Sequence, residues 1–300
     1  MTPLRTRLER RDGALLMGVL NRTPDSFSDG GRYLDEAAAL GQVEAMIREG
    51  AAIIDVGAES TRPGAPAVGA KEQVERLGDL KGLVARATAL GALVSIDTTL
   101  PEVAEHALRS GVAIVNSVSL EPARDLGELV KGHGASLVLM HCRGSMTDMA
   151  GFSAYPDAAY GDVVADVARE WSVAAAKALE AGVSRDDLVL DPGLGFAKNA
   201  RQSLELCARL DELTALGFPV LVGVSRKSFV ARAAAGDGPL PLPGERLGGT
   251  IAATLACVEK GAAIARVHDV GAVGQALAVA RAMKRAGRSA EPRAFGGADV

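Results

Sequence analysis

Eight short apolar runs in this sequence each stop on, or a few residues before, side chains that can do chemistry. Asn21 follows the first run. The second leads into DVGAESTRPGA and offers Asp55, Glu59, Thr61 and Arg62. Asp97 closes the third, Asn116 the fourth, His141 the fifth and Asp191 the sixth. The seventh ends in Ser-Arg-Lys at 225–227, and the eighth in RVHD with Arg266 and His268. Any one of these residues is ordinary as a loop or helix cap. Eight in the same relative position point to a common cause.

The residue types divide into two groups. Asp97, Asn116 and Asp191 suit a neutral, amide-rich heterocycle, because a carboxylate accepts two N–H groups and an amide both donates and accepts. Lys227, Arg266 and His268 suit an anion, and the fork of an arginine matches phosphate oxygens. A lysine beside an arginine at 226–227 is otherwise a solvated pair opening a helix.

The elements that must position these groups follow from periodicity. The apolar runs lie at 15–20, 52–56, 93–96, 113–115, 136–140, 188–190, 220–224 and 262–267. Continuous apolar runs of this length fit strands of a parallel sheet buried on both faces. Helical patterns separate them, at 35–49, 71–90, 101–110, 123–131, 157–181, 200–216, 228–235, 245–260 and 272–285. Gly50 and Gly91 supply stop signals, and Pro101 stands where a helix tolerates proline. Eight strands alternating with helices predict an α/β fold, a single TIM (β/α)8 barrel with its active site at the C-terminal ends of the strands. An open doubly wound sheet would carry a Gly-rich phosphate turn early in the chain, and none is there. The expected division is 1–14 as a segment capping the barrel, 15–286 as the barrel and 287–300 as a flexible tail.

Composition narrows the class. Of 300 residues 48% are hydrophobic but only 3% aromatic, so Ala, Val, Leu and Ile must fill the core. A net charge of −4 gives no electrostatic case for nucleic acid. Cys142, Cys207 and Cys257 are too few and too scattered for a disulfide framework or metal cluster. The first residues have no signal-peptide core, and no apolar run reaches the roughly 18 residues of a membrane span. A cytoplasmic protein without nucleic-acid or membrane partners is expected.

The stretch MGVLNRTPDSFSDGG, 17–31, opens a strand into a long Gly/Pro-punctuated loop carrying Asp25 and Asp29. A simple turn needs about two to six residues. This segment, with STRPGA, SIDT, LMHCRG, LDPGLGFAKN, VGVSRKSF, ERLGGT and RVHDV, resembles the dihydropteroate synthase family, in family order over about residues 15–270. The resemblance implies condensation of 6-hydroxymethyl-7,8-dihydropterin diphosphate with 4-aminobenzoate, giving 7,8-dihydropteroate and diphosphate.

By likeness to the family motifs, Asp97, Asn116, Asp191 and Lys227 bind the pterin, with Met140 in the same pocket. Arg266 and His268, with Asn21 and Thr61, face the diphosphate. Asn21, and Asp29 with it, belong to a Mg²⁺ arrangement. Phe27, Thr61, Arg62, Pro63, Phe196, Ser225 and Lys227 frame the 4-aminobenzoate. Asp29, Lys227, Arg266 and His268 are the expected catalytic set. The family also implies a homodimer, sulfonamides competing with 4-aminobenzoate, and mobile loops after the first two strands that fold over the diphosphate. The sequence departs from the pattern at Ser117, where Asp is usual, at HCRGSM in place of HMQG followed by Pro, and at Ala197, where Gly is common.

No Ser–His–Asp order or reactive cysteine is present, and the implied chemistry needs neither. The C–O bond at the pterin methylene breaks, leaving a cation that the aniline nitrogen captures. The demands are electrostatic: cations for the departing diphosphate, carboxylates for the ring, and exclusion of water. A folate-dependent corrinoid methyltransferase domain would share SIDT and VNSVS but has no use for the phosphate-handling segments. A non-catalytic pterin-binding paralogue is the other alternative.

Overall fold

The computed structural model describes residues 2–22, 32–59, 67–144, 155–236 and 238–289. Its eight strands are β1 Leu15–Asn21, β2 Ile53–Gly57, β3 Leu93–Asp97, β4 Ile114–Ser117, β5 Ser136–Met140, β6 Leu188–Asp191, β7 Leu221–Val222 and β8 Ile264–Val267. All pair in parallel, in the order β6-β5-β4-β3-β2-β1-β8-β7. A parallel bridge between Leu190 and Val220, with Leu190 N–H donating to Pro219 at 2.9 Å, joins β6 to β7 and closes the barrel. Each of the eight expected strands is present.

A period of two along each strand sorts side chains between the barrel interior and the helices outside. Met17, Ile53, Leu93, Ile114, Val138, Val189, Leu221 and Ile264, one from each strand, form the apolar interior layer. Leu4 and Leu8 of the first helix, α1 Pro3–Arg10, pack beneath it as a plug. The alternate residues, among them Leu16, Ile54, Val94, Val115, Leu137 and Leu190, face the surrounding helices.

Those helices are α2 Arg32–Arg48, α3 Ala70–Leu77, α4 Leu80–Ala89, α5 Pro101–Arg109, α6 Ala123–His133 and α7 Val163–Glu180. They continue with α8 Ala200–Ala208, α9 Leu210–Thr214, α10 Ser228–Ala235, α11 Leu247–Glu259 and α12 Val270–Ser289. Two expected single helices are each divided. The 71–90 pattern breaks because Gly78 adopts φ +57 and Asp79 caps a new helix by accepting from Gly82 N–H at 2.8 Å. The 200–216 pattern breaks at Arg209, whose backbone leaves the helical region. The helix expected from 157 starts at Val163, where Asp162 accepts from Val164 and Ala165 N–H. Among the described residues no helix is long and apolar enough to cross a membrane.

Candidate active site

Two residues beyond five of the eight members of the interior layer, the same face of the barrel changes from apolar to polar. Ile53 is followed at that spacing by Asp55 and Gly57, Leu93 by Ser95 and Asp97, Ile114 by Asn116, Val189 by Asp191, and Ile264 by Arg266 and His268. Register aligns their heights: Asn21 pairs with Gly57, Gly57 with Asp97, and Asp97 with Asn116. Met140 pairs with Asp191.

Arg266 is the centre of this layer. Its Nε donates to Asp55 Oδ2 at 2.7 Å and its Nη2 to Asp97 Oδ2 at 3.0 Å. Asp55 is fully buried and also accepts from Asn116 Nδ2 at 3.1 Å. One guanidinium therefore serves two carboxylates. Asp55 Oδ1, Asp97 Oδ1 and the nearby Ser95 Oγ are buried with no hydrogen-bond partner. Burial raises the Asp97 pKa, against the opposing charge of Arg266, and the second carboxylate at Asp55 raises it further. The pocket is short of donors and carries excess negative charge, which suits a ligand rich in N–H groups or one that becomes cationic.

On the far wall, Asp191 accepts from Gly193 N–H at 2.8 Å. Lys227 donates to the Leu194 carbonyl, and its ammonium lies 4.2 Å from the centre of the Phe196 ring. Burial lowers the Lys227 pKa to about 8, with Asp191 opposing. Ser225 Oγ receives the His268 backbone N–H at 3.2 Å and lies 3.0 Å from its Nδ1. Between these residues Arg226 has φ +60, a left-handed conformation uncommon outside glycine. Its side chain is paired, though partly exposed. It binds Asp269 through two nitrogens, at 3.0 and 2.5 Å, while the neighbouring Lys227 reaches Leu194 and Phe196.

The structure thus gathers Asp97, Asn116, Met140, Asp191, Phe196, Ser225, Lys227, Arg266 and His268 at one end of the barrel, with Asn21 exposed at its rim. Arg266, expected to face a diphosphate, is held by the ring-pocket carboxylates. Phe27, Asp29, Thr61, Arg62 and Pro63 lie outside the described residues. Asp55 was not among the expected ligand-binding residues, though a charged residue sharing the inward phase of Ile53 was the signal for it. The departure at Ser117 is self-contained: its hydroxyl donates to Ser119 O at 2.8 Å and leaves Asn116 free to reach Asp55. Ala197 has φ +45, a left-handed conformation that glycine adopts more readily than alanine.

Among the described residues no cluster of three or more His, Cys, Asp or Glu side chains could hold a metal ion. Asn21 offers one amide oxygen at the open rim. That fits Mg²⁺ bound mainly through water and substrate oxygens, the usual mode for this small, hard ion.

The profile of the pterin binding enzyme family matches residues 17–268. A dihydropteroate synthase of Mycobacterium leprae is 44% identical over 280 residues, covering 92% of this chain and 95% of its own. The structure of Xanthomonas albilineans dihydropteroate synthase with 4-aminobenzoic acid superposes with a TM-score of 0.80 at 37% identity, over 91% of this chain and 94% of its own. The same enzyme in complex with 7,8-dihydropteroate gives a TM-score of 0.75 at 34% identity, again over 91% and 94%.

Proposed function

We propose, for a chain that belongs to the pterin-binding enzymes and among them to the dihydropteroate synthases, that it joins 6-hydroxymethyl-7,8-dihydropterin diphosphate to 4-aminobenzoate, releasing diphosphate. The observation that carries this reading is the pair of buried carboxylates, Asp55 and Asp97, each with an unpartnered oxygen, clamped on one guanidinium beside Asn116 and opposite Asp191. A pterin edge supplies the N–H donors that such a wall lacks.

The chemistry follows from charge. The C–O bond at the pterin methylene breaks with its electron pair leaving on the diphosphate oxygen. The ring is left cationic, and Asp97 and Asp191 favour that charge. Lys227, Ser225 and His268 stand where the departing anion can be received. The aniline nitrogen then bonds to the methylene carbon and loses its proton to solvent. A neutral aniline needs no strong base. Mg²⁺, held through Asn21 together with Asp29, would supply further positive charge to the diphosphate. Lys227 on the Phe196 ring provides an aromatic face and a cation for a benzoate, the features that sulfonamides would also use.

The test is direct: incubate the protein with pterin diphosphate, 4-aminobenzoate and Mg²⁺ and follow dihydropteroate. Pterin binding without product would identify a non-catalytic binding protein instead. A cytoplasmic homodimer goes with this reading, and light scattering on the purified protein tests the assembly.

A further inference from the structure

The loop that joins β6 to α8 turns around a cation that the reaction does not use. Lys198 is fully buried. Its ammonium donates to three backbone carbonyls, His141 at 3.2 Å, Gly193 at 3.2 Å and Phe196 at 3.1 Å, and lies 3.0 Å from His141 Nδ1. On the other side of the imidazole, Nε2 lies 2.9 Å from Glu170. Glu170 accepts, so Nε2 carries the proton and Nδ1 offers its lone pair to Lys198. Burial, followed by the charge of Lys198, lowers the His141 pKa to about 3, which agrees with a neutral ring. Four acceptors thus converge on three N–H donors, and the Gly193 carbonyl accepts the Phe196 backbone N–H at 3.0 Å as well.

Two of those carbonyls, Gly193 and Phe196, belong to the loop that builds the far wall. Within five residues this loop supplies the Gly193 N–H that orients Asp191, the Leu194 carbonyl that holds Lys227 and the Phe196 ring beneath that ammonium. The third carbonyl, of His141, ties the loop to the end of β5. The packing is close enough that a Cβ on Gly193 would come 1.9 Å from His141 O.

We propose that Lys198 is a positioning residue for the pterin wall, an internal ammonium around which loop 192–197 is wound so that Asp191 and Lys227 meet the ring in fixed geometry. The proposal rests on the reading of the site as a pterin pocket. It does not make Lys198 a catalytic residue, since its nitrogen is spent on the protein backbone.

Lys198→Met keeps the length and apolar stem and removes the ammonium. Its affinity for 6-hydroxymethylpterin, measured by calorimetry, should fall by about tenfold or more, the effect of misplacing a buried hydrogen-bonding group. Binding of inorganic diphosphate with Mg²⁺, which keeps Ser225 and His268 and shares only Lys227 with the pterin wall, should fall by a clearly smaller factor. A purely structural role would weaken both ligands alike or neither, and either outcome overturns the proposal. If Lys198→Met does not fold, His141→Leu removes one of the four acceptors and leaves the lysine in place. It should weaken pterin in the same direction by a smaller factor, and unchanged pterin affinity there also overturns the proposal. Wild-type protein that binds diphosphate but no pterin would refute the pterin reading itself, and the positioning role with it.

Discussion

Arg266 on β8 and Asp55 on β2 meet at 2.7 Å although 211 residues separate them. Only β1 lies between their strands. The contact sets the pocket's charge: Asp55 takes one edge of the guanidinium and leaves Asp97 to share the remainder. Asp55→Asn keeps the shape and removes that charge. Pterin affinity should fall by roughly 1–3 kcal/mol, as for mispairing a buried charged group. Calorimetry on the folded variant checks this, and undiminished affinity would show that Asp55 has no part in the pocket.

Lys227 makes activity depend on alkaline pH. Its pKa is lowered to about 8 in the free protein, mainly by burial. The protonated form receives the diphosphate, so kcat/KM for pterin diphosphate should decline as pH rises above about 8, since this parameter reports free-enzyme ionisations. Lys227→Arg, always charged, should move the decline upward even where its rate is lower. A variant profile that overlays the wild type would remove Lys227 from that role.

Stability should fall on the acid side through His141 and Glu170. The folded pKa of His141 is lowered to about 3, so between its ordinary value of 6.5 and that point the unfolded chain binds the proton and the folded one does not. Its contribution is complete above pH 6.5 and is lost as pH falls. Hydrogen bonds from Arg143 hold Glu170 at about 2 instead of 4.5, against partial desolvation. Its contribution is present above 4.5 and is lost toward pH 2. Glu170→Gln should cost on the order of 1–2 kcal/mol at pH 7, after allowing for solvent screening at this partly exposed site, and less at pH 3. Urea unfolding at the two pH values measures the difference. An equal cost at both would mean that the ion pair is not the source.

Gly193 is a position where only glycine fits. Its φ is +65 and a Cβ would collide with the backbone oxygen of His141, which cannot swing aside as a side chain could. Gly193→Ala should destabilise by more than about 2 kcal/mol and weaken pterin binding as well, because Gly193 N–H orients Asp191. Thermal melts and calorimetry test the two effects separately. An alanine variant of wild-type stability would contradict the backbone conformation described for this loop.

The sequence alone determined the strands, the barrel and the polar character of the strand ends. Apolar runs of this length between amphipathic helices leave little choice of architecture, and the motif order placed Asp97, Asn116, Asp191, Ser225, Lys227, Arg266 and His268 at one end of it. Partnership was decided only by the tertiary structure. Spacing within a strand shows which face a residue takes, but whether Arg266 meets Asp55 depends on the closure of β8 and β2 around β1. Arg226, next to Lys227 in sequence, is bent by a left-handed backbone onto Asp269, and no local pattern announces that. Lys198 is the clearest case. In GFAKN it reads as a surface lysine before a helix, because its acceptors are backbone carbonyls, which every residue carries and which composition therefore cannot reveal. Only the fold of the loop around β6 brings three of them to one ammonium.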